Sequence, residues 1–252
     1  MDGILTGKTL VVMGVANQRS IAWGCAQALL NQGARVVLTY QNERLKKSLQ
    51  RFVAPDQPLI ECDVVDDAQV DAAFKTIGAR FGEIDGVIHA IAYADKAALT
   101  NDFVATPRGS YQQAQDISSY SLIAVARAAR PFLSRSASIA TLTYFGSQRA
   151  VPNYNVMGVA KAALEANVRY LARDLGPAGV RVNAISAGAV KTLAVTGIQD
   201  HRQLLKRSQS MTVDGVAVTT SEIGNVAAFL MSPLSTGITG DVIYVDKGVH
   251  LS

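Results

Sequence analysis

Tyr154 and Lys161 are the two residues of this chain whose types and spacing most readily make a catalytic pair. A phenol has one proton to donate, and a lysine ammonium carries a fixed positive charge with three donors. They stand seven residues apart in Asn153-Tyr154-Asn155-Val156-Met157-Gly158-Val159-Ala160-Lys161. At roughly 100° per residue, seven steps fall about 20° short of two full turns, so on a helix both side chains point the same way. A nearby ammonium favours the phenolate and makes the tyrosine a better donor. Spacing alone leaves a plainer alternative open, a packing tyrosine at a helix start followed by a solvated lysine. The location favours chemistry, because this helix follows a strand ending Thr141-Leu142-Thr143-Tyr144-Phe145-Gly146.

The elements that must position this pair alternate along the whole chain. Apolar, β-rich runs predict strands at Thr9–Met13, Arg35–Tyr40, Leu59–Asp63, Gly86–Ala92, Ala137–Tyr144, Val180–Ile185 and Val242–Val245. Helical patterns predict helices at Ile21–Gln32, Asn42–Phe52, Asp67–Phe81, Ser110–Leu133, Asn155–Leu175 and Ser221–Met231. Gly33 reads as a C-terminal cap, Gly176-Pro177 as a stop, and Thr219-Thr220-Ser221-Glu222 as a capping box. No repeat or linker interrupts the series. The expected fold is α/β: one Rossmann-like, doubly wound parallel sheet of about seven strands flanked by helices, with residues 1–252 forming a single domain. Such sheets bind ligands at the carboxyl ends of their strands, where the strand order reverses.

The first strand runs into Gly14-Val15-Ala16-Asn17-Gln18-Arg19-Ser20-Ile21. The Gly-x-Gly-x-x-Gly fingerprint is missing, but its physical requirements are met. Gly14 permits a sharp turn and close approach of a ligand, and Ser20 stands at the helix N-cap, where hydroxyl and amides can face a pyrophosphate. Simple helix capping by Ser20 is the competing explanation. After the second strand, the position that selects the cofactor is Gln41, which is neutral. It can bond a ribose or an adenine edge but offers no charge to a 2′-phosphate, which favours NADH. Arg44, Lys46 and Lys47 keep NADPH open.

Composition sets the outer limits. Apolar residues make up 49% of the chain, enough for a large core, and the net charge is a mild +4. Basic residues are scattered without aromatic interleaving, so no nucleic-acid groove is expected. The apolar stretches fall far short of a membrane helix, and Met1 to Lys8 does not read as a signal peptide. Cys25 and Cys62 read as buried small hydrophobes, which points weakly to the cytosol. His89, His201 and His250 show no ligand spacing, and no metal is expected.

Taken together, Gly14-x5-Ser20-Ile21-Ala22, Gln41, Cys62-Asp63-Val64, Asp116 to Ser121, Tyr144, Pro152 to Gly158, Lys161, Val182 to Gly188 and Thr192-Leu193-Ala194 closely resemble the bacterial enoyl-acyl carrier protein reductases, a divergent branch of the short-chain dehydrogenases/reductases. The likeness covers essentially the whole chain. Ordinary members of the superfamily place lysine four residues after the tyrosine; here that position is Gly158. The resemblance implies an NADH-dependent enzyme of fatty acid biosynthesis that reduces the double bond of a trans-2-enoyl thioester on acyl carrier protein. It implies that Gly14, Ser20 and Ile21 bind the pyrophosphate side of the cofactor, and that Gln41, Asp63, Val64 and Ile91 line its adenosine half. Val190, Lys191, Thr192, Leu193 and Ala194 would lie along the nicotinamide and diphosphate, and a helical segment near residues 191–212 would bind substrate. Lys161 would hold the nicotinamide ribose, Ala94 would touch substrate, and Tyr144 and Tyr154 would face it. Arg202 would contact the acidic carrier protein, and the assembly would be a cytoplasmic homotetramer.

Some positions depart from the family pattern. His89-Ala90-Ile91-Ala92-Tyr93-Ala94-Asp95-Lys96 differs from the usual serine- and glycine-containing turn. Gln199 and Gln203 replace expected cations, with Lys206 and Arg207 one turn on, and Asp246-Lys247-Gly248 stands where Asp-Gly-Gly is common. Two other functions compete with the enoyl reductase. One is a short-chain reductase acting on a ketone or 3-oxoacyl thioester, which the Tyr–Lys spacing disfavours. The other is an NADH sensor without catalysis, in which nothing would hold Tyr154 and Lys161 in phase.

Overall fold

The computed structural model describes residues 3–196 and 200–251, apart from the side chains of Leu193, Ala194 and His201. Gln199 lies outside the described residues. Parallel strands form one sheet in the order β3-β2-β1-β4-β5-β6-β7. These are β1 (Thr9–Met13), β2 (Arg35–Tyr40), β3 (Leu59–Glu61), β4 (Ile84–His89), β5 (Leu133–Thr143), β6 (Arg181–Ala187) and β7 (Val242–Val245). The order reverses between β1 and β4, so the crevice expected to hold a ligand opens at Met13 and His89, which are paired.

Every residue of β1 and β6 is buried, as expected of strands covered by helices on both faces. Leu10 and Val12 point into one core layer, beneath α1 (Ile21–Asn31). Val11 and Met13 point into the other, which contains Phe74 and Ile77. The remaining helices are α2 (Glu43–Leu49), α3 (Asp67–Phe81), α4 (Lys96–Thr100), α5 (Arg108–Gln115), α6 (Ser121–Ala129), α7 (Asn155–Leu175), α8 (Leu193–Thr196), α9 (His201–Met211) and α10 (Thr220–Met231). Thr219 and Glu222 form the expected capping box of α10, and Gly33 takes a left-handed φ of +85° just past α1. The far end of α10 is closed by a buried guanidinium: Arg181 donates to the carbonyl oxygen of Leu230 at 2.8 Å.

The expected long helix over Ser110–Leu133 is instead four segments. Between α5 and α6 the chain widens into a π turn over Asp116–Tyr120, and after α6 a 3-10 turn at Arg130–Phe132 carries Pro131. The widened turn brings the Ser118 hydroxyl to the Tyr93 backbone, accepting from its amide at 2.9 Å and donating to its carbonyl at 3.0 Å. Leu133, expected to end that helix, opens β5 and pairs with Ile84. The predicted continuation of β4 through Ala92 also fails, because its partner β1 stops at Met13 and the chain beyond peels away at the Gly14 turn. Cys25 and Cys62 are both buried thiols.

Candidate active site

The turn after β1 is the first part of the site. Gly14 adopts φ +91°, and a Cβ there would run into the carbonyl of Ala90. Only glycine lets β1 and the chain beyond β4 approach so closely. Ser20 is the N-cap of α1, yet its hydroxyl does not cap the helix; it donates to the Asn17 carbonyl at 2.5 Å. The first-turn amides, with half-buried Ile21 among them, therefore remain free of a side-chain cap and suit an anion.

At the ends of β2 and β3, Gln41 Nε2 donates to Asp63 Oδ2 at 3.0 Å. Val64 beside them is buried. A carboxylate here would repel an added phosphate. Lys46 is bound to Glu43 at 2.9 Å, while Arg44 and Lys47 are exposed. Ile91 packs against the core below the reversal point, and Ala94 packs against Ala98, Ala114 and Val156. Farther round the edge, the Thr192 hydroxyl accepts from the Val195 amide at 3.3 Å and so starts α8, with Val190 half-buried and Lys191 exposed.

Two tyrosines meet beside this edge. Tyr154 precedes α7 between Asn153 (φ +62°) and Asn155 (φ +40°). Asparagine tolerates the left-handed region better than other side-chain-bearing residues. Asn155 is tied down by donation to the Asn101 carbonyl at 2.8 Å. Strained backbone on both sides of one tyrosine marks a position that the surrounding structure dictates. Tyr144 follows β5, and its ring meets that of Tyr154 edge-on, with centroids 4.9 Å apart. Gly146 leaves room for both: a Cβ there would lie 2.7 Å from Tyr154 Cδ1 and 3.0 Å from Tyr144 Cδ1.

The expectation that Lys161 draws Tyr154 toward the phenolate is not met. Burial pushes the Tyr154 phenol up, and Tyr144 and then Glu165 push it further. Tyr154 stands just outside α7, with the left-handed Asn155 between it and the regular helix, and Lys161 turns inward, its Nζ donating to the Leu142 carbonyl at 2.7 Å. Tyr154 thus keeps its proton and suits hydrogen-bond donation. Burial also pushes Tyr144 up to about 12, with Asp246 adding to the shift and Arg207 opposing it.

Lys161 lies in a buried polar band beneath the edge. Burial lowers its pKa to about 8, and the carboxylate of Glu165 pulls it back up. Glu165 Oε1 accepts from the Thr143 hydroxyl at 2.7 Å. On β4, fully buried His89 bridges the hydroxyls of Thr141 and Ser121, each at 2.9 Å. Burial, followed by the charge of Lys161, lowers its pKa to about 3.

A cleft of about 530 Å³ opens next to Tyr144. The turn at Arg149–Asn153 forms one wall, and Gln203, Leu204, Arg207, Ser208 and Met211 of α9 form the other. Arg202 is exposed on the same helix but does not line the cleft. Sequence reasoning missed Glu165, His89 and Gly146 as parts of the site. Glu165 had a usable signal, since it follows Lys161 by four residues and so shares its helix face.

Comparison with known proteins finds likeness over nearly the whole chain. A family model described as enoyl-(acyl carrier protein) reductase matches residues 14–250. The enoyl-(acyl-carrier-protein) reductase (NADH) FabI of Enterococcus faecalis is 55% identical over 248 residues, covering 98% of this chain and 99% of that protein. Its Escherichia coli counterpart is 47% identical, with 99% and 97% covered. The crystal structure of the Bacillus cereus enoyl-acyl carrier protein reductase with NADP+ and indole naphthyridinone superposes with a TM-score of 0.96 at 46% identity, covering 99% of each chain. The Anaplasma phagocytophilum reductase in complex with NAD gives 0.94 at 42% identity, covering 100% of this chain and 97% of that one.

Proposed function

The chain belongs to the enoyl-(acyl carrier protein) reductase family and uses NADH to reduce the double bond of an enoyl thioester on acyl carrier protein, and on that premise we propose how its own residues divide the work. Gly14, Ser20 and Ile21 hold the pyrophosphate, and Gln41, Asp63, Val64 and Ile91 hold the adenosine half. Val190 to Ala194 close over the other half, where Lys161 binds the nicotinamide ribose with the protons it does not give to Leu142. When bound, NADH supplies the hydride.

Tyr154 donates its hydroxyl proton in a hydrogen bond to the thioester carbonyl oxygen as negative charge builds there. A preorganised donor of this kind is worth on the order of 3 kcal/mol. Tyr144, edge-on to Tyr154 and facing the cleft, shapes the acyl pocket and helps deliver the α-carbon proton, with Ala94 touching substrate. The contact between the two tyrosine rings is the observation that carries this assignment.

Residues 1–252 act as one dinucleotide-binding and catalytic domain, with 191–212 as the substrate-binding segment; the α9 side chains in the cleft wall support this. Arg202, with Lys206 and Arg207, meets the acidic carrier protein, and all three are exposed on α9. A homotetramer would cover the exposed Tyr111, Tyr120 and Tyr170 near α5 and on α7, and light scattering would measure it. The enzyme works in the cytoplasm, which cell fractionation tests; no described helix is long and apolar enough to cross a membrane.

One assay tests the central reading: purified protein is mixed with NADH and a crotonyl or longer enoyl thioester while NADH absorbance is followed. Oxidation with the enoyl but not the 3-oxoacyl substrate is expected; the reverse preference, or cofactor binding without turnover, would overturn it.

A further inference from the structure

Lys161 and Glu165 lie one turn apart on the inner face of α7, with relative exposures of only 5% and 6%. An isolated charge at such depth is costly, so each needs a partner. Adjacent residues of β5 hold the two ends: the Leu142 carbonyl accepts from Lys161 Nζ, and the Thr143 hydroxyl donates to Glu165 Oε1, both at 2.7 Å. The carbonyl supplies a dipole, and Glu165 supplies the negative charge.

We propose that Glu165 is a positioning residue for the reaction: its carboxylate, fixed by Thr143, keeps Lys161 in the ammonium form that grips the cofactor. The inference rests on the ribose-binding role given to Lys161 above. The other titratable groups acting on this cluster are His89 on β4, and Tyr154 and Tyr144 at the ends of α7 and β5. His89 is neutral above about pH 3 and so adds no charge to the cluster. Both tyrosines keep their protons at neutral pH. The packed neighbours Thr141, Thr143 and Ser121 contribute uncharged hydroxyls. Among the described residues, Glu165 is the one carboxylate acting on Lys161.

Removing a negative charge beside an ammonium lets the proton leave at lower pH. NADH affinity of the wild type should therefore fall as pH rises past about 8, the point set by Lys161. In Glu165→Gln, whose amide oxygen can still accept from Thr143, the fall should begin at least about one pH unit lower. That shift weakens NADH binding by about tenfold at pH 9 and by less than about twofold at pH 6. A merely structural Glu165 would not produce such a pH-selective loss.

The experiment is a fluorescence titration of NADH from pH 6 to 9 with wild type, Glu165→Gln and Lys161→Met, each first checked for a folded thermal transition. If Glu165→Gln does not fold, Glu165→Met removes the same charge at similar volume and is measured instead. A downward shift of the alkaline limb supports the proposal. A charge-removed variant whose profile overlays the wild type, while Lys161→Met binds NADH weakly, overturns the role of Glu165 and leaves that of Lys161 standing. Unchanged NADH affinity in Lys161→Met overturns both.

Discussion

A methyl group on Gly158 would stand 2.7 Å from the carbonyl oxygen of Gly146, so the start of α7 touches the turn after β5 backbone to backbone. No side chain fits between them. A lysine four residues after Tyr154 is sterically barred in this chain, and the cation comes instead from Lys161, three residues on, where the helix faces β5.

That contact sets the first expectation. Alanine normally improves on glycine within a helix by about 0.5–1 kcal/mol. In Gly158→Ala, overpacking against a backbone carbonyl costs about 1–3 kcal/mol and outweighs it. The variant should melt at a lower temperature and lose tenfold or more in kcat/KM, because the Gly146 turn also spaces the two tyrosines. A rise in melting temperature with activity intact would show that the contact does not constrain the site.

Tyr154→Phe removes the proposed donor and nothing needed for cofactor binding. Turnover should fall about a hundredfold, corresponding to the roughly 3 kcal/mol of one oxyanion donor, with NADH affinity nearly unchanged. Lys161→Ala should do the opposite at low cofactor, raising the NADH dissociation constant most. Steady-state kinetics with both substrates varied separates the two. Wild-type activity in both variants would remove the mechanism.

His89 gives the protein an acid-sensitive core. Its folded pKa is about 3 against an ordinary value of 6.5, so between those values the unfolded chain binds a proton that the folded chain does not. Stability is therefore lost as pH falls below about 6.5, by up to about 1.4 kcal/mol per pH unit from this group. Urea midpoints between pH 7 and 4.5 should fall less steeply for His89→Gln than for wild type. Parallel slopes would mean that other groups dominate acid unfolding.

Lys247 takes a left-handed φ of +52° where glycine would be unstrained, yet its ammonium reaches Asp214 at 3.3 Å and Glu222 at 3.2 Å. Glu222 is also the capping-box carboxylate of α10, so Lys247 joins the segment after α9 to the start of α10. Lys247→Met keeps the backbone strain and loses both ion pairs, whereas Lys247→Gly loses the pairs but relieves the strain. Melting temperatures should rank Met below Gly, and the gap from wild type should narrow in high salt. Identical melting of all three would remove this account.

The sequence by itself determined the alternation of strands and helices, the capping of α10 and the turn at Gly14. Each of these is written in residues close together along the chain, where periodicity, caps and backbone preference act. Its motifs also carried the family. The break of the predicted Ser110–Leu133 helix into a π turn was not legible, because its widened geometry is tied to Tyr93, 25 residues before Ser118. Nor was the direction taken by Lys161. Phase on a helix says which way a side chain leaves the backbone, but not what meets it. The carbonyl of Leu142, the hydroxyl of Thr143 and the ring of His89 come together only when β4, β5 and α7 pack. Through-space charge and burial then decide that the tyrosine stays protonated and that the lysine needs a carboxylate.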